Sequence, residues 1–419
     1  MKEKLKNLMQ LLSFRAILEG DEEDDWEDFD LQDDYISGVE NAAEGVGQVS
    51  GRKWIVYAVI AVLTVAAAAG YYIFSRRHTY TGYRVTDSYP SEDISGTMYL
   101  KLGGGFVKYG SDGVTYVDGK NQTQWSNAYT METPVGEVCG DSLLIYEQQG
   151  YQVMVLNRDG VVGSFETDLP ILKADVSSGG VVAMMLREDE NTRIRMCASD
   201  GTTLAEIRTT LQDAGHPIDI AMSSNAQQMM VSLVRIGSGS VDSTIAFYDF
   251  SSASKSDESH LAASLDYRDV VFPSVFYAKD SCPVAVGDSM FVTFDNGRTP
   301  KQDTRVNLDR EIVSVFHDEK HIGFVLPSDA GDQRYMLQVY RYNGERTAQT
   351  LFQTGYSEVG MDSGEILMFD AGHIMAFTTG GIRRLDADYD KQIGNFVKIP
   401  GFRKYAVLTN SGIDRIKIE

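Results

Sequence analysis

His317-Asp318-Glu319-Lys320-His321 sets two imidazoles four residues apart, a spacing that on a helix brings both to one zinc ion. A zinc-protease helix also needs Glu directly after the first His, and here Glu319 stands one place too far on. The flanking IVSVF and IGFVL read as strands, so the five residues are expected to form a hairpin turn. Asp386, Asp388 and Asp390 alternate like the head of a calcium loop. The sixth position of that loop is Lys391 where Gly is required, and the twelfth is Val397 where a bidentate Glu is required. An EF-hand is thereby excluded, turn-forming acids remain, and calcium in another geometry stays open. His216 before Pro217, His260 and His373 stand isolated and read as structural histidines. Gly103-Gly104-Gly105 precedes a strand, FVKYG, and reads as a bend or bulge. Cys139, Cys197 and Cys282 form no CxxC pair, and their odd number argues against a fully paired disulfide framework, leaving core thiols. No nucleophile elbow, Walker loop or dinucleotide-binding glycine turn occurs. No catalytic residue, metal ligand or cofactor is assigned, and enzyme activity is unsupported.

The other chemistry is that of partners. Residues 19–35, EGDEEDDWEDFDLQDDY, interleave acids with Trp26, Phe29, Leu31 and Tyr35. Self-repulsion should keep this run unfolded, either as a short docking segment for a basic partner or as a solvated tail. Before it, Leu5, Leu8, Met9 and Leu12 form the apolar stripe of a helix over residues 1–18. It could lie on a membrane surface, on a partner helix, or be a frayed helix of no consequence. The net charge of −22 repels phosphate backbones and argues against nucleic acid.

Trp54 to Phe74 holds no charged residue over 21 positions, long enough as a helix to cross roughly 30 Å of hydrocarbon. Aromatic residues sit near its ends and Arg52, Lys53, Arg76 and Arg77 close them. The expectation is a single transmembrane helix with the N-terminus in the cytoplasm and the larger part of the chain outside. Long domains translocate largely regardless of charge, and no earlier apolar segment would carry the tail across.

The elements beyond residue 80 are strands, and they repeat. Strand-turn-strand units recur with turns near Gly119, Gly160, Gly201, Phe250, Gly297, Gly344 and Asp388, separated by 41 to 49 residues. Asp-Gly and Asn-Gly suit such hairpins because they accept positive φ. DSLLIYE, GVVAMMLRE, QQMMVSLVRI and HIGFVLP are apolar on both faces, as strands sandwiched between sheets should be. The spacing predicts an all-β fold, a β-propeller of seven four-stranded blades over 85–419, with six or eight left open. Pairing of the segment after Tyr83 with the last strand, Asp414 to Ile418, would close it. Upstream the expected parts are the helix of 1–18, an acidic disordered tail and linker over 19–53, the membrane segment 54–74 and a juxtamembrane linker over 75–84.

The first unit, YVDGKNQTQWSNAY with Trp125, resembles the strand pattern of quinoprotein-like propellers; the other units lack the Trp, and no cofactor is carried over. The layout through HTYTGYRV, SGTMYLKLGGGFVKYGSDGVTYVDGKNQTQWSNAY and LPILKADVSSGGVVAMML resembles a family of uncharacterised single-pass bacterial membrane proteins with propeller-like outer domains. The resemblance covers nearly residues 50–419 and implies a bacterial envelope setting. The functional expectation is a membrane-anchored extracytoplasmic binding or scaffold module that presents a propeller face to a protein, peptide or glycan. The alternative is a propeller enzyme or carbohydrate-binding protein of the envelope.

Overall fold

A computed structural model describes residues 57–67, 70, 78–94, 96–189, 191–209, 215–237, 239–251 and 260–419. Two compact units divide at Phe74 and Ser75. In the first, the described residues 57–67 are helical, and Tyr57, Ile60, Val62, Leu63 and Val65 are exposed apolar side chains on it. The helical stretch is about 16 Å long at the usual rise. No helix among the described residues is long and apolar enough to cross a membrane, which corrects the expected transmembrane helix. The remainder of 54–74 except Gly70, the helix of 1–18 and the tail of 19–53 lie outside the described residues.

The second unit is built from eight four-stranded antiparallel sheets, not seven. Blades 1 to 7 run in order over residues 98–128, 134–166, 171–209, 216–267, 274–307, 314–352 and 358–388. Within each, successive strands step outward from an innermost to an outermost position. Blade 8 takes its three inner strands from Ile393–Lys398, Lys404–Thr409 and Gly412–Ile418 and its outer strand from Tyr83–Pro90. Tyr83 faces Ile418 and Pro90 faces Gly412, so the expected closure is present and starts at Tyr83.

The difference of one blade has a simple cause. Six of the seven turns mark hairpins between third and fourth strands, and a blade whose fourth strand comes from the other end of the chain has no such hairpin. Counting these turns therefore finds one blade too few. The last turn also lies elsewhere than expected, because the blade 7 hairpin falls at Thr378 to Arg383 and Asp388 ends the strand that follows.

Burial repeats the count. Eight hydrophobic clusters each join two neighbouring blades; one combines Ile194 and Met196 of blade 3 with Met229 and Val231 of blade 4, another Tyr99 and Phe106 of blade 1 with Ala406 and Leu408 of blade 8. Second strands such as Ser142–Glu147 and Val182–Glu188 are buried almost throughout because a blade covers each face. Antiparallel pairing puts the first-to-second and third-to-fourth hairpins on one face, here the lower. The second-to-third hairpins and the blade-to-blade crossovers share the upper face.

The juxtamembrane linker expected over 75–84 is described from residue 78 on, and at Tyr80 it meets blade 7. Tyr80 N–H donates to Arg384 O at 2.9 Å and Tyr80 O accepts the Asp386 N–H at 3.1 Å, so the chain is pinned to blade 7 before it forms the rim of blade 8.

Candidate functional site

Inner strands line the centre of the ring, and among those that skip a residue of register are the three that do so at Leu172, Ile218 and Gly394. Such a bulge re-aims the next side chain. Those residues are Lys173, Asp219 and Asn395, and each reaches the next blade. Asp219 Oδ2 accepts the Val275 N–H at 2.7 Å and its Oδ1 accepts the Ile220 N–H at 2.9 Å. Lys173 forms an ion pair with Asp219, and Asn395 Nδ2 donates to Tyr99 O at 2.9 Å, from blade 8 to blade 1. Asp175 accepts the Met222 N–H at 2.7 Å, and Asp280 accepts the Ser224 N–H at 2.6 Å. These buried or half-buried charges are therefore engaged with backbone of adjacent blades, where they satisfy N–H groups that strand pairing leaves over.

Burial raises several of these acids. Asp175 is pushed up to about 6, chiefly by burial and against the pull of the Met222 and Val176 N–H groups. Glu137, on the inner strand of blade 2, is pushed up to about 7 by burial first and the Asp175 charge second. Asp219 is also raised by burial, opposed by Lys173. Burial pushes the Cys139 thiol up to about 11 and raises Cys197 and Cys282, so all three free thiols are held protonated; Cys197 is buried and the other two half-buried.

A second feature is an open cleft on the upper face of blade 1. One cavity of about 590 Å³ lies between the crossover after Pro90 and the Ser111–Asp112 hairpin. It shares Thr97, Met98 and Tyr109 with a cavity of about 580 Å³ that runs along the inner strands of blades 1, 7 and 8. The walls are braced by ion pairs. Lys108 Nζ lies 2.8 Å from Asp93 and donates to Ser91 Oγ at 3.0 Å, while Tyr99 donates to Asp93 Oδ2 at 3.0 Å. Lys101 Nζ meets both Asp362 oxygens at 2.9 Å, and Asp362 Oδ2 accepts the Lys398 N–H at 3.0 Å. Ile94 is 72% exposed and Met98 37% exposed at this cleft. Four exposed acids, Glu92, Asp112, Glu132 and Glu358, line the two cavities. The combination can hold a partly apolar ligand carrying positive charge.

The residues singled out in the sequence fall elsewhere. Trp26, Phe29, Leu31 and Tyr35 lie outside the described residues. His317 to His321 form the expected hairpin turn on blade 6, with Asp318 Oδ1 accepting the Lys320 N–H at 2.8 Å. His317 is exposed at the strand end but stacks on Phe276 at 3.6 Å, and desolvation of the stacked ring pushes it down to about 4. Gly103 and Gly104 form a tight hairpin turn, Gly103 at φ 55°. His216 begins the inner strand of blade 4, and His260 packs its ring 5.0 Å from Phe250. His373 is not isolated in space, since its two ring nitrogens lie 2.8 Å from Asp386 and from Asp388 on the neighbouring strand. Asp390 does not join them through any hydrogen bond among the described residues. Trp125 stacks on Tyr116 and donates to Arg158 O at 2.9 Å, tying blade 1 to blade 2. Among the described residues no group of three His, Cys, Asp or Glu is placed to hold a metal ion. Sequence reasoning missed the cleft itself. Its one local sign is Lys108, a charge inside the otherwise buried strand Gly105–Gly110.

Eight four-stranded blades, sealed by a rim strand from the opposite end of the domain, define an eight-bladed β-propeller. Residues 76–418 match the family described as Family of unknown function (DUF5711), and the chain belongs to that family. No curated protein matches it. Among solved structures it is similar to BamB from Moraxella catarrhalis, at 14% identity and a TM-score of 0.48 over 80% of this chain and 99% of that one. It is also similar to the Pan2 WD40 domain of Neurospora crassa, at 11% identity and 0.44 over 68% and 88%. Hydrazine synthase of Kuenenia stuttgartiensis gives 11% and 0.43 over 80% and 99%.

Proposed function

We propose that this chain is a propeller binding module of the bacterial cell envelope whose upper cleft on blade 1 takes a protein segment carrying basic and apolar side chains. The observation that carries the reading is the rim of that cleft, where exposed Ile94 and Met98 stand among Glu92, Asp112, Glu132 and Glu358. Acid around exposed apolar surface complements a cationic, amphipathic segment and steers its approach. Engagement of Asp175, Asp219 and Asp362 with neighbouring backbone supports a scaffold role for the channel wall.

The module is anchored at the cell membrane through the uncharged residues 54–74, with the propeller outside and the N-terminus in the cytoplasm. Support comes from that composition and from the exposed apolar side chains of 57–67. The acidic stretch around Trp26, Phe29, Leu31 and Tyr35 docks a basic cytoplasmic partner. Protease added to sealed, right-side-out vesicles should degrade the propeller and spare the tail; degradation of both overturns this placement.

Binding is tested by fluorescence anisotropy with the detergent-solubilised full chain and a labelled peptide alternating Arg and Leu. The Glu92→Lys/Glu358→Lys variant should weaken binding about tenfold or more, the effect of reversing two acidic charges of the lining. A peptide with Glu in place of Arg should not bind. Equal affinity of wild type and variant would remove the cleft as the site.

A further inference from the structure

The lower edge of blade 8 carries a row of like charges. Arg84 on the rim strand stands directly opposite Lys417, and Lys417 directly opposite Lys404 on the next strand in, so all three share one face of the sheet. Directly opposed like charges weaken a strand pair. Relief from within the molecule is slight. Arg84 lies 3.8 Å from Glu419, both well exposed, and among the described residues Lys404 and Lys417 have no ion-pair partner. The chain as a whole carries −22, so a basic row runs against its composition. Beside Lys404, the inner hairpin of blade 8 ends in Phe402, 48% exposed, with the Arg403 guanidinium 4.7 Å over its ring.

The chain reaches the propeller at this same edge. Thr79 Oγ1 donates to Arg383 O at 2.9 Å, Tyr80 pairs with the outer strand of blade 7, and Arg403 donates to the Tyr80 hydroxyl at 2.8 Å. Thr79 follows the uncharged segment ending at Phe74 by only five residues. A tether that short keeps this edge near whatever surface holds residues 54–74.

We infer that the lower edge of blade 8, with Arg84, Lys404, Lys417 and Phe402, rests on an anionic lipid surface, the cations meeting headgroup phosphates and the phenyl ring entering the interface. Cationic rows beside a membrane anchor gain from anionic headgroups, and an exposed aromatic prefers that depth. The inference rests on the proposed membrane anchoring. It orients the upper cleft away from the lipid, toward soluble or envelope partners.

The test reconstitutes the full chain into vesicles of phosphatidylcholine alone or of phosphatidylcholine with phosphatidylglycerol. Amine-reactive labelling is read at each lysine by mass spectrometry, after flotation has shown which chains are vesicle-bound. Lys301, exposed on the lower face of blade 5, is the internal reference. With phosphatidylglycerol, labelling of Lys404 and Lys417 should fall about fivefold relative to Lys301, and high salt should restore it. Vesicle-bound chain with the same labelling in both lipids overturns the inference and leaves the anchoring reading standing. Equal protection of Lys301 overturns the assignment to blade 8. Chain that does not float with either vesicle overturns the anchoring reading and this one with it.

Discussion

The Asp219 carboxylate of blade 4 accepts the Val275 N–H of blade 5 at 2.7 Å while lying only 1% exposed. One side chain thus joins two blades, holds its own Ile220 N–H and partners Lys173 of blade 3. Asp219→Ala strands two buried N–H groups and a lysine, and should lower unfolding stability by about 3 kcal/mol in a denaturant titration. Asp219→Asn keeps an acceptor and should fall between. A loss below about 0.5 kcal/mol for the alanine variant would show that the tie contributes little.

Glu137 gives the propeller a pH dependence of a definite sign. Its carboxyl is raised from 4.5 to about 7 in the folded chain, so the folded form holds a proton that the unfolded form releases. The buried charge is absent at acidic pH, begins to oppose folding as pH rises past about 4.5, and opposes it fully above about 7. Glu137→Gln should therefore gain stability over wild type on going from pH 5 to pH 8, on the order of 2 kcal/mol. Asp175, raised to about 6, slopes the same way and remains in the variant. A difference that does not change with pH would contradict the burial of Glu137.

His317 slopes the other way. Held down at about 4 against an ordinary 6.5, it stays neutral in the fold while the unfolded chain takes up a proton. Its contribution is fully present above about 6.5 and is lost as pH falls toward 4. His317→Phe keeps the stack on Phe276 and should flatten the loss of thermal stability between pH 6.5 and 4.5. An unchanged slope would place the titration elsewhere.

Ring closure depends on Gly412. Its φ of 132° is a glycine conformation, and a Cβ there would stand 2.2 Å from Tyr89 O on the rim strand. Gly412→Val should destabilise the domain by about 2 kcal/mol or more and release the strand Tyr83–Pro90. Hydrogen exchange should show faster exchange over 83–90 than over blades 3 to 5; uniform exchange would mean that the rim strand does not close the ring.

Most blades are legible in the local chemistry of the chain. Gly160, Gly201 and Gly344 mark true outer hairpins because tight turns need residues that accept positive φ, and in the hairpin at Gly119 it is Asn121 that takes it, at 60°. The eighth blade carries no such mark, since its rim strand is separated from its partner by more than three hundred residues. Pairs made only in three dimensions leave no trace along the chain: Lys101 meets Asp362 across 261 positions, and the row of Arg84, Lys417 and Lys404 exists only through strand register. His373 reads as solitary because its carboxylates follow 13 and 15 residues later, a separation that means nothing until a hairpin folds it.

The central claim is that the cleft on blade 1 receives a basic, partly apolar protein segment. It is tested most directly by placing a photo-crosslinking amino acid at Met98 in living cells and mapping the joined peptide by mass spectrometry, with Leu351 on the outer strand of blade 6 as the reference position. The account predicts one discrete protein joined at Met98 and not at Leu351, through a segment rich in Lys or Arg, and its loss in the Glu92→Lys/Glu358→Lys variant. Joining through an acidic segment, or a pattern at Met98 no different from that at Leu351, would contradict it.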